Sequence, residues 1–398
     1  MIIFITEHPY SFNFNGAAAL SSSHLRFLAK KFPNQTIQIV FLNENTDFWK
    51  ENPDFDQKRF SLVPIAIPEA RFSSLSLRSL RLFFTGKIDR LIKGIYKFDE
   101  STEQGILTLA NFLKEKAEVE FIWCEHLMPV LYLSLVTREE SWVKKVIYSH
   151  HDFLYKILGI RAHSPQHWLR SLLVKKLETN LLKKIPFFIS GSQSELNQIS
   201  DVTLPGHQAK FLPCFYPPLK PDSLKPAGSI VKIYHLGTAG ATANRIGLQF
   251  FFKKVFPAIE HLPFVLEFFG NVKDYILQQF PTLEGHPKIV FHGFVLDLEG
   301  KIETGMIHII PYAGMTGTRT RIAGLARFKP CLLGFKNMQD SYPFLSSGVN
   351  AMIAEDGATF IKNIETLILD STLRQKISDN ITSEILNYEN KLVEEFKI

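Results

Sequence analysis

Cysteine is scarce in this chain: Cys124, Cys214 and Cys331 are the only three in 398 residues. They lie far apart, their number is odd, and no Cys-x-x-Cys occurs. That excludes a disulfide framework and a zinc knuckle, and it fits a reducing, cytoplasmic compartment. Long apolar runs are missing too. No stretch of about 18 uncharged apolar residues occurs. The run Ile2-Ile-Phe-Ile-Thr6 is about five residues long with no basic segment before it, so neither a signal peptide nor a membrane span is expected. Composition is moderate, 45% hydrophobic and 21% charged with 22 Gly and 21 Pro, which excludes disorder and collagen-like repeats. What is abundant is phenylalanine, 35 residues, a residue expected mostly in cores. The length suits two or three domains of roughly 100–200 residues.

The net charge is +6, and all of it lies in the first half. Residues 1–220 hold 27 Lys and Arg against 21 Asp and Glu, whereas residues 221–398 hold 18 against 18. Two stretches concentrate the excess. One carries Arg71, Arg78, Arg81, Lys87, Arg90, Lys93 and Lys97 against Asp89; the other carries Arg170, Lys175, Lys176, Lys183 and Lys184 against Glu178. Both are interleaved with Leu, Ile and Phe. They read either as attraction to an anionic membrane surface or a phosphorylated acceptor, or as solvated helix faces. The first reading places a cytoplasmic protein peripherally on the inner membrane face. No groove-reading motif is visible and the second half is neutral, so nucleic acid is not an expected partner.

Short β-rich apolar runs alternate with helical patterns twice along the chain. The first series is Ile2–Thr6, Thr36–Leu42, Glu120–Cys124, Lys145–Ser149 and Pro186–Ser190. Five prolines between Leu212 and Gly228 then favour an extended connector. The pattern restarts with Val231–Leu236, Phe264–Phe269, Lys288–Phe291, Met306–Ile310 and Lys329–Gly334. A helix is expected from Asn244 to Val255, stopped before Pro257. Apolar strands alternating with helices predict parallel sheets covered on both faces. The expected architecture is α/β, with two Rossmann-like doubly wound parallel-sheet domains, 1–215 and 216–383, facing a central cleft. A C-terminal helix at 384–398 follows, with the N-terminal domain as a candidate packing surface. Ligands in such folds bind outside the carboxyl ends of the strands.

Several places carry chemistry. Gly317-Thr318-Arg319-Thr320-Arg321 precedes an apolar helical pattern, Ile322 to Phe328. Free N–H groups at a helix start, together with two arginines, suit a diphosphate. Gly237-Thr238 follows a strand and lets backbone approach the same phosphates, with Arg245 nearby in sequence. His150, His151 and Asp152 follow a strand, and Gly16 lies in the loop after the first strand. Each place also reads as ordinary structure: a capped helix, a strand-to-helix turn, polar capping residues, a simple turn. The His pair has no third ligand nearby in sequence, so a metal is not expected.

The order Val231-Lys-Ile-Tyr-His-Leu-Gly-Thr238, Asn244-Arg245, Phe256-Pro257, Phe268-Phe-Gly270, Val290-Phe-His-Gly-Phe-Val295, Ile310-Pro311, Gly317-Thr-Arg-Thr-Arg321 and Lys329-Pro330 resembles the donor half of GT-B glycosyltransferases. It is most similar to glycosyltransferase family 4. The first half is similar as well, in Gly16, Ser149-His-His-Asp152, Lys176-Leu-Glu178 and Phe188-Ile-Ser-Gly-Ser-Gln-Ser-Glu195. Residues 45–105 match none of it. The resemblance implies a hexosyltransferase-like enzyme that moves a sugar from a nucleotide-diphospho-sugar to a hydroxyl of a glycan or lipid-linked acceptor. It implies a place in glycan or glycoconjugate biosynthesis, such as that of an envelope polysaccharide, retention of configuration, and no metal or other cofactor. It implies His151, paired with Asp152, as the catalytic residue near the transferred sugar. It implies Gly16, Gly237, Thr238, Arg245, Gly317, Thr318, Arg319 and Arg321 as donor-binding residues. The family's Glu-x7-Glu motif is missing: Pro311 to Ala326 contains no acid, and the two positions fall near Ala313 or Gly314 and near Ala323 or Gly324. Two alternatives therefore stand beside transfer: a scaffold that kept the fold and lost the chemistry, and a nucleotide-sugar 2-epimerase, which needs several acids that the donor half lacks.

Overall fold

Runs of Ile, Val, Leu and Phe that are apolar on both faces of the pleat form strands covered on both sides. The computed structural model of the chain describes residues 1–398 apart from 13–14, 51–54, 57, 69–70, 73–87, 117, 137–142, 161–163, 220–223, 296–297 and 313–316. Arg78, Arg81 and Lys87 of the first basic stretch, and the motif position at Ala313 or Gly314, lie outside the described residues. The chain divides into two compact units. The first comprises Met1–Cys214 and Thr316–Thr318, the second Phe215–Met315 and Arg319–Ile398.

The first unit holds a seven-stranded, wholly parallel sheet. Its spatial order is Phe60–Pro64, Ile37–Phe41, Ile2–Thr6, Phe121–Glu125, Val146–His150, Phe187–Ser190 and Gln208–Phe211. Ile2–Thr6, Phe121–Glu125 and Val146–His150 are buried at every position. The second unit holds a six-stranded parallel sheet in the order Ile289–Gly293, Phe264–Phe269, Val231–Leu236, Ile307–Ile310, Cys331–Phe335 and Met352–Ala354. Three strands of these sheets that are not among the expected runs, Phe60–Pro64, Gln208–Phe211 and Met352–Ala354, are all sheet edges. An edge strand covers less apolar surface, so Gln208–Phe211 has no fully buried position and leaves a weaker pattern.

The helix of the second unit does not stop before Pro257. Regular α-helix spans Thr242–Phe250, a π-helical turn spans Phe251–Val255, and α-helix resumes at Phe256–Ile259. The wider turn shifts the backbone partners just where proline has no N–H to give, so Pro257 opens a new helical stretch. The last helix, Ser371–Glu395, is unbroken; residues 384–395 continue it, and it groups with the second unit.

Candidate functional site

In the first sheet the strand order reverses at Ile2–Thr6, which lies between Ile37–Phe41 and Phe121–Glu125. Loops leaving the carboxyl ends of strands diverge at such a point and open a crevice for ligands. Ionisable groups converge there. His8 follows the first strand, Glu125 ends Phe121–Glu125, His126 comes next, and His151 follows Val146–His150. His24 joins them from helix Gly16–Lys31.

Glu125 is fully buried and organises the cluster. Its Oε1 accepts from Trp123 Nε1 at 2.6 Å and lies 2.7 Å from His24 Nδ1, while Oε2 lies 2.6 Å from His151 Nε2. Burial alone would raise its pKa. The His24 charge and the hydrogen bonds from His151 and His24 prevail and hold the carboxyl well below its usual range. Burial lowers His8 to about 4 and His150 to about 3, and takes His126 well below its ordinary value. The His126 ring lies 3.4 Å from that of His151 and 4.3 Å from that of His8, centroid to centroid. Its backbone is in the left-handed region, φ 69°, a conformation that costs energy and concentrates at functional turns.

His24, Glu125 and His151 present three ligand-type atoms within 4.8 Å of one another, all buried. Two ligands of one tetrahedral zinc, each at about 2.0–2.2 Å, stand roughly 3.3 Å apart. The carboxylate–imidazole separations of 2.6 and 2.7 Å are those of shared protons. As placed, the residues form a hydrogen-bonded cluster, and a shared metal would require them to move apart.

Of the expected residues in this unit, His151 is part of the cluster and is 7% exposed. Gly16 is not in a loop. It is the first residue of helix Gly16–Lys31, because Asn15 caps the helix by accepting from Ala18 N at 2.7 Å. The Asn-Gly pair thus reads as a helix start where the sequence alone suggested a turn. Glu178 accepts from the backbone N–H of Leu154 and Tyr155 at 2.9 and 3.1 Å, and burial lifts its pKa to about 7. Its role is to cap helix Leu154–Ile160. Glu125, His24, His126 and His8 were missed by sequence reasoning. The visible signal was Glu125-His126 directly after the apolar run Phe121 to Cys124: the strand runs one residue further than expected and ends on the acid.

The second sheet reverses at Val231–Leu236, between Phe264–Phe269 and Ile307–Ile310. Gly237 leaves this strand with φ 148°. A side chain there would strike the Asn244 amide and lie 2.8 Å from Arg321 Nη2, so only glycine lets the guanidinium lie against the loop. Arg321 Nη1 donates to Asn244 Oδ1 at 3.2 Å, and Asn244 Nδ2 donates to Thr238 O at 2.8 Å. No carboxylate pairs with half-buried Arg321 among the described residues. Two fully buried imidazoles, His235 and His308, lie within its electrostatic reach. Burial and then the Arg321 charge lower His235 to about 3 and take His308 well below its ordinary value. Neither ring has a hydrogen-bond partner among the described residues.

The other expected donor residues separate. Thr238 is exposed. Arg245 is exposed and its Nη2 reaches Thr242 Oγ1 on its own helix at 3.4 Å. Arg319 is buried with its guanidinium 5.5 Å from the Tyr312 ring centre, and its backbone N–H donates to Ser341 Oγ at 3.0 Å. Gly317 has φ 87°, and Thr318 Oγ1 is buried without a partner among the described residues. Helix Thr320–Ala326 has only seven residues, so its dipole is short and the fixed charge of this loop is that of the arginines.

Two doubly wound parallel sheets, each with a polar group of side chains at its reversal point, define the GT-B fold, and the chain has it. The solved structures similar to it over their whole length include Anabaena HepE in complex with UDP and glucose. There the identity is 13%, the TM-score 0.61, and 99% of this chain and 98% of that one are covered. Staphylococcus aureus TarM, in a mutant form with fondaparinux, α-GlcNAc-glycerol and UDP, is 10% identical with a TM-score of 0.63, covering 99% and 98%. WaaG, a glycosyltransferase involved in lipopolysaccharide biosynthesis, is 10% identical with a TM-score of 0.59, covering 99% of each chain. No family model matches the chain, and no curated protein matches it by sequence.

Proposed function

We propose that this chain is a glycosyltransferase that moves a sugar from a nucleotide-diphospho-sugar to an acceptor hydroxyl in glycan or glycoconjugate biosynthesis. One observation carries the reading: Arg321, a half-buried cation without a carboxylate partner among the described residues, held against Gly237 at the reversal point of the second sheet. A guanidinium in such a place is a site for a multiply charged oxyanion. HepE and TarM, with the same fold, are described in complex with UDP. In transfer the leaving group is a nucleoside diphosphate, and Arg321 meets the charge that develops on it. The role assigned to His151 is to touch the sugar or the acceptor. The test is a panel of UDP-, GDP- and ADP-sugars with the purified chain, read as release of free nucleoside diphosphate. Binding of a nucleotide sugar without any release identifies a scaffold. Conversion of the sugar at C2 without a transferred product identifies an epimerase. No calorimetric binding of any member sinks the reading altogether.

We also infer that the chain works at the cytoplasmic face of an anionic membrane, on a glycan or lipid-linked acceptor. The support lies in the first unit. Helix Pro165–Leu182 exposes Trp168 (61%) and Leu172 beside exposed Lys175, and helix Ile88–Ile95, packed against it, exposes Arg90 and Lys93. Exposed aromatic and basic groups on two packed helices favour the interface, at about 1 kcal/mol per basic residue near it. Liposomes containing anionic lipid should float with the protein at low salt and lose it at high salt. An intact protein that stays in solution at low salt overturns this placement.

A further inference from the structure

We propose that His24 and Glu125 are positioning residues that hold His151 as a neutral ring protonated on Nε2, so that His151 meets a substrate hydroxyl as a hydrogen-bond acceptor through Nδ1. The nature of the substrate rests on the glycosyltransferase reading; the state of the ring does not.

The argument starts from one carboxylate shared by two imidazoles. Each Glu125 oxygen has a ring nitrogen within 2.7 Å, so each ring gives it one N–H. Beyond that, His24 meets a hydroxyl, which accepts as readily as it donates, and a carbonyl, which only accepts. Its Nδ1 faces Glu125 Oε1 at 2.7 Å, with the Ser149 hydroxyl at 3.2 Å, and its Nε2 faces the Leu212 carbonyl at 3.4 Å. A neutral imidazole has one donor and one acceptor, and a carbonyl offers no proton to a bare ring nitrogen. Both His24 nitrogens therefore carry protons, and the positive charge of the cluster resides on His24. Glu125 and His24 form a neutral pair, each nearly or fully buried.

His151 is the second ring on an already balanced carboxylate. Its ion-pair geometry involves Glu125 alone among the described residues. The other groups around it are His8 from the loop after the first strand, His126 after Phe121–Glu125, and Glu7, Tyr148 and Asp152 along the cavity wall. A second positive charge beside His24 would be repelled in a low-dielectric interior with no second buried acid in the cluster to receive it. The ring is therefore neutral, with its one proton on Nε2 and directed to Glu125. Nδ1 keeps its lone pair and has no partner among the described residues. The side chain lines a cavity of about 210 Å³ together with Glu7, His126, Tyr148 and Asp152. Anything held there by His151 has to bring the proton, which a sugar or acceptor hydroxyl does. This reverses the usual expectation of an imidazole that donates to its ligand, and the reversal is imposed by the acid behind the ring.

The experiment uses the full chain labelled with 15N in histidine, and reads ring nitrogen shifts and their couplings to ring protons at pH 7.5. The His151 signals are assigned by their loss in His151→Gln. The expected result is an imidazolium pattern for His24 and a neutral, Nε2-protonated pattern for His151. In Glu125→Gln the His24 ring should lose its second proton, and the His151 ring should divide between tautomers. An imidazolium His151, a neutral His151 protonated on Nδ1, or stoichiometric metal in the purified protein overturns the proposal. Where Glu125→Gln does not fold, the wild-type spectrum decides alone. None of this needs turnover: a chain with these ring states and no release of nucleoside diphosphate from any nucleotide sugar refutes the function and leaves the ring assignment standing. Where transfer is measured, Glu125→Gln should lose turnover while donor affinity stays unchanged.

Discussion

Replacing Glu125 with alanine should destabilise the first unit by about 3–5 kcal/mol, the range for removing one partner of a buried ion pair. His24, whose Nδ1 is 2.7 Å from the carboxylate, then gives up a proton and keeps a buried ring N–H without its acceptor, and Trp123 loses the acceptor of its indole N–H. Urea unfolding followed by fluorescence reports the loss through fully buried Trp123. A change below about 1 kcal/mol, the worth of an exposed ion pair, would sink the idea that this carboxylate organises the interior. The same cluster gives stability a direction with pH. Glu125 has a folded pKa below its unfolded one, so its contribution is present above the unfolded value and is lost as pH falls through the folded value. His8 and His150 are held neutral in the folded chain with values of about 4 and about 3. Unfolding lets them bind protons below about 6.5, so they too reduce stability as pH falls from there. Wild-type stability should decline from about pH 6.5 downward. Glu125→Ala should keep the histidine part of that decline and lose the part below the carboxylate's unfolded pKa.

Arg321→Ala should weaken nucleoside diphosphate binding by about 1.5–3 kcal/mol, or roughly ten- to a hundredfold, as expected for a hydrogen bond to a charged group. Arg319→Ala serves as the internal comparison, because Arg319 is buried over the Tyr312 ring whereas Arg321 reaches the loop after the central strand. Calorimetry with UDP separates them: a loss confined to Arg321→Ala is expected. Unchanged affinity in that variant, with the protein folded, removes the anion site from the second unit.

The sheets were legible because central strands bury both faces and so are mostly apolar, with buried Glu125, His235 and His308 as exceptions that serve the site. Ile2–Thr6 and Phe264–Phe269 announce themselves by apolar content alone. Gln208–Phe211 did not, because one side of an edge strand is free to be polar, and Met352–Ala354 did not, because three apolar residues are too short a run to stand out. The site was only half legible. Gly237 and Arg321 stood out through glycine chemistry and fixed charge, and His151 through its place after a strand. Glu125 and His24 are 101 residues apart, and nothing local in the sequence says that a helix histidine will meet a strand-end glutamate. Gly16 misled because an Asn-Gly pair serves a helix start as readily as a turn.

Gly270 has φ 112°, and a side chain added to it would land on the carbonyl of Gly237, the glycine that makes room for Arg321. Gly237 N in turn donates to Phe269 O at 2.9 Å, and Ala239 N to Asn271 O at 3.1 Å. Two loops 33 residues apart in the chain are thereby pressed backbone to backbone with no side chain between them. Each is the mould of the other. In a chimera the loop after Val231–Leu236 could not be exchanged for that of a distant relative unless the loop after Phe264–Phe269 travelled with it.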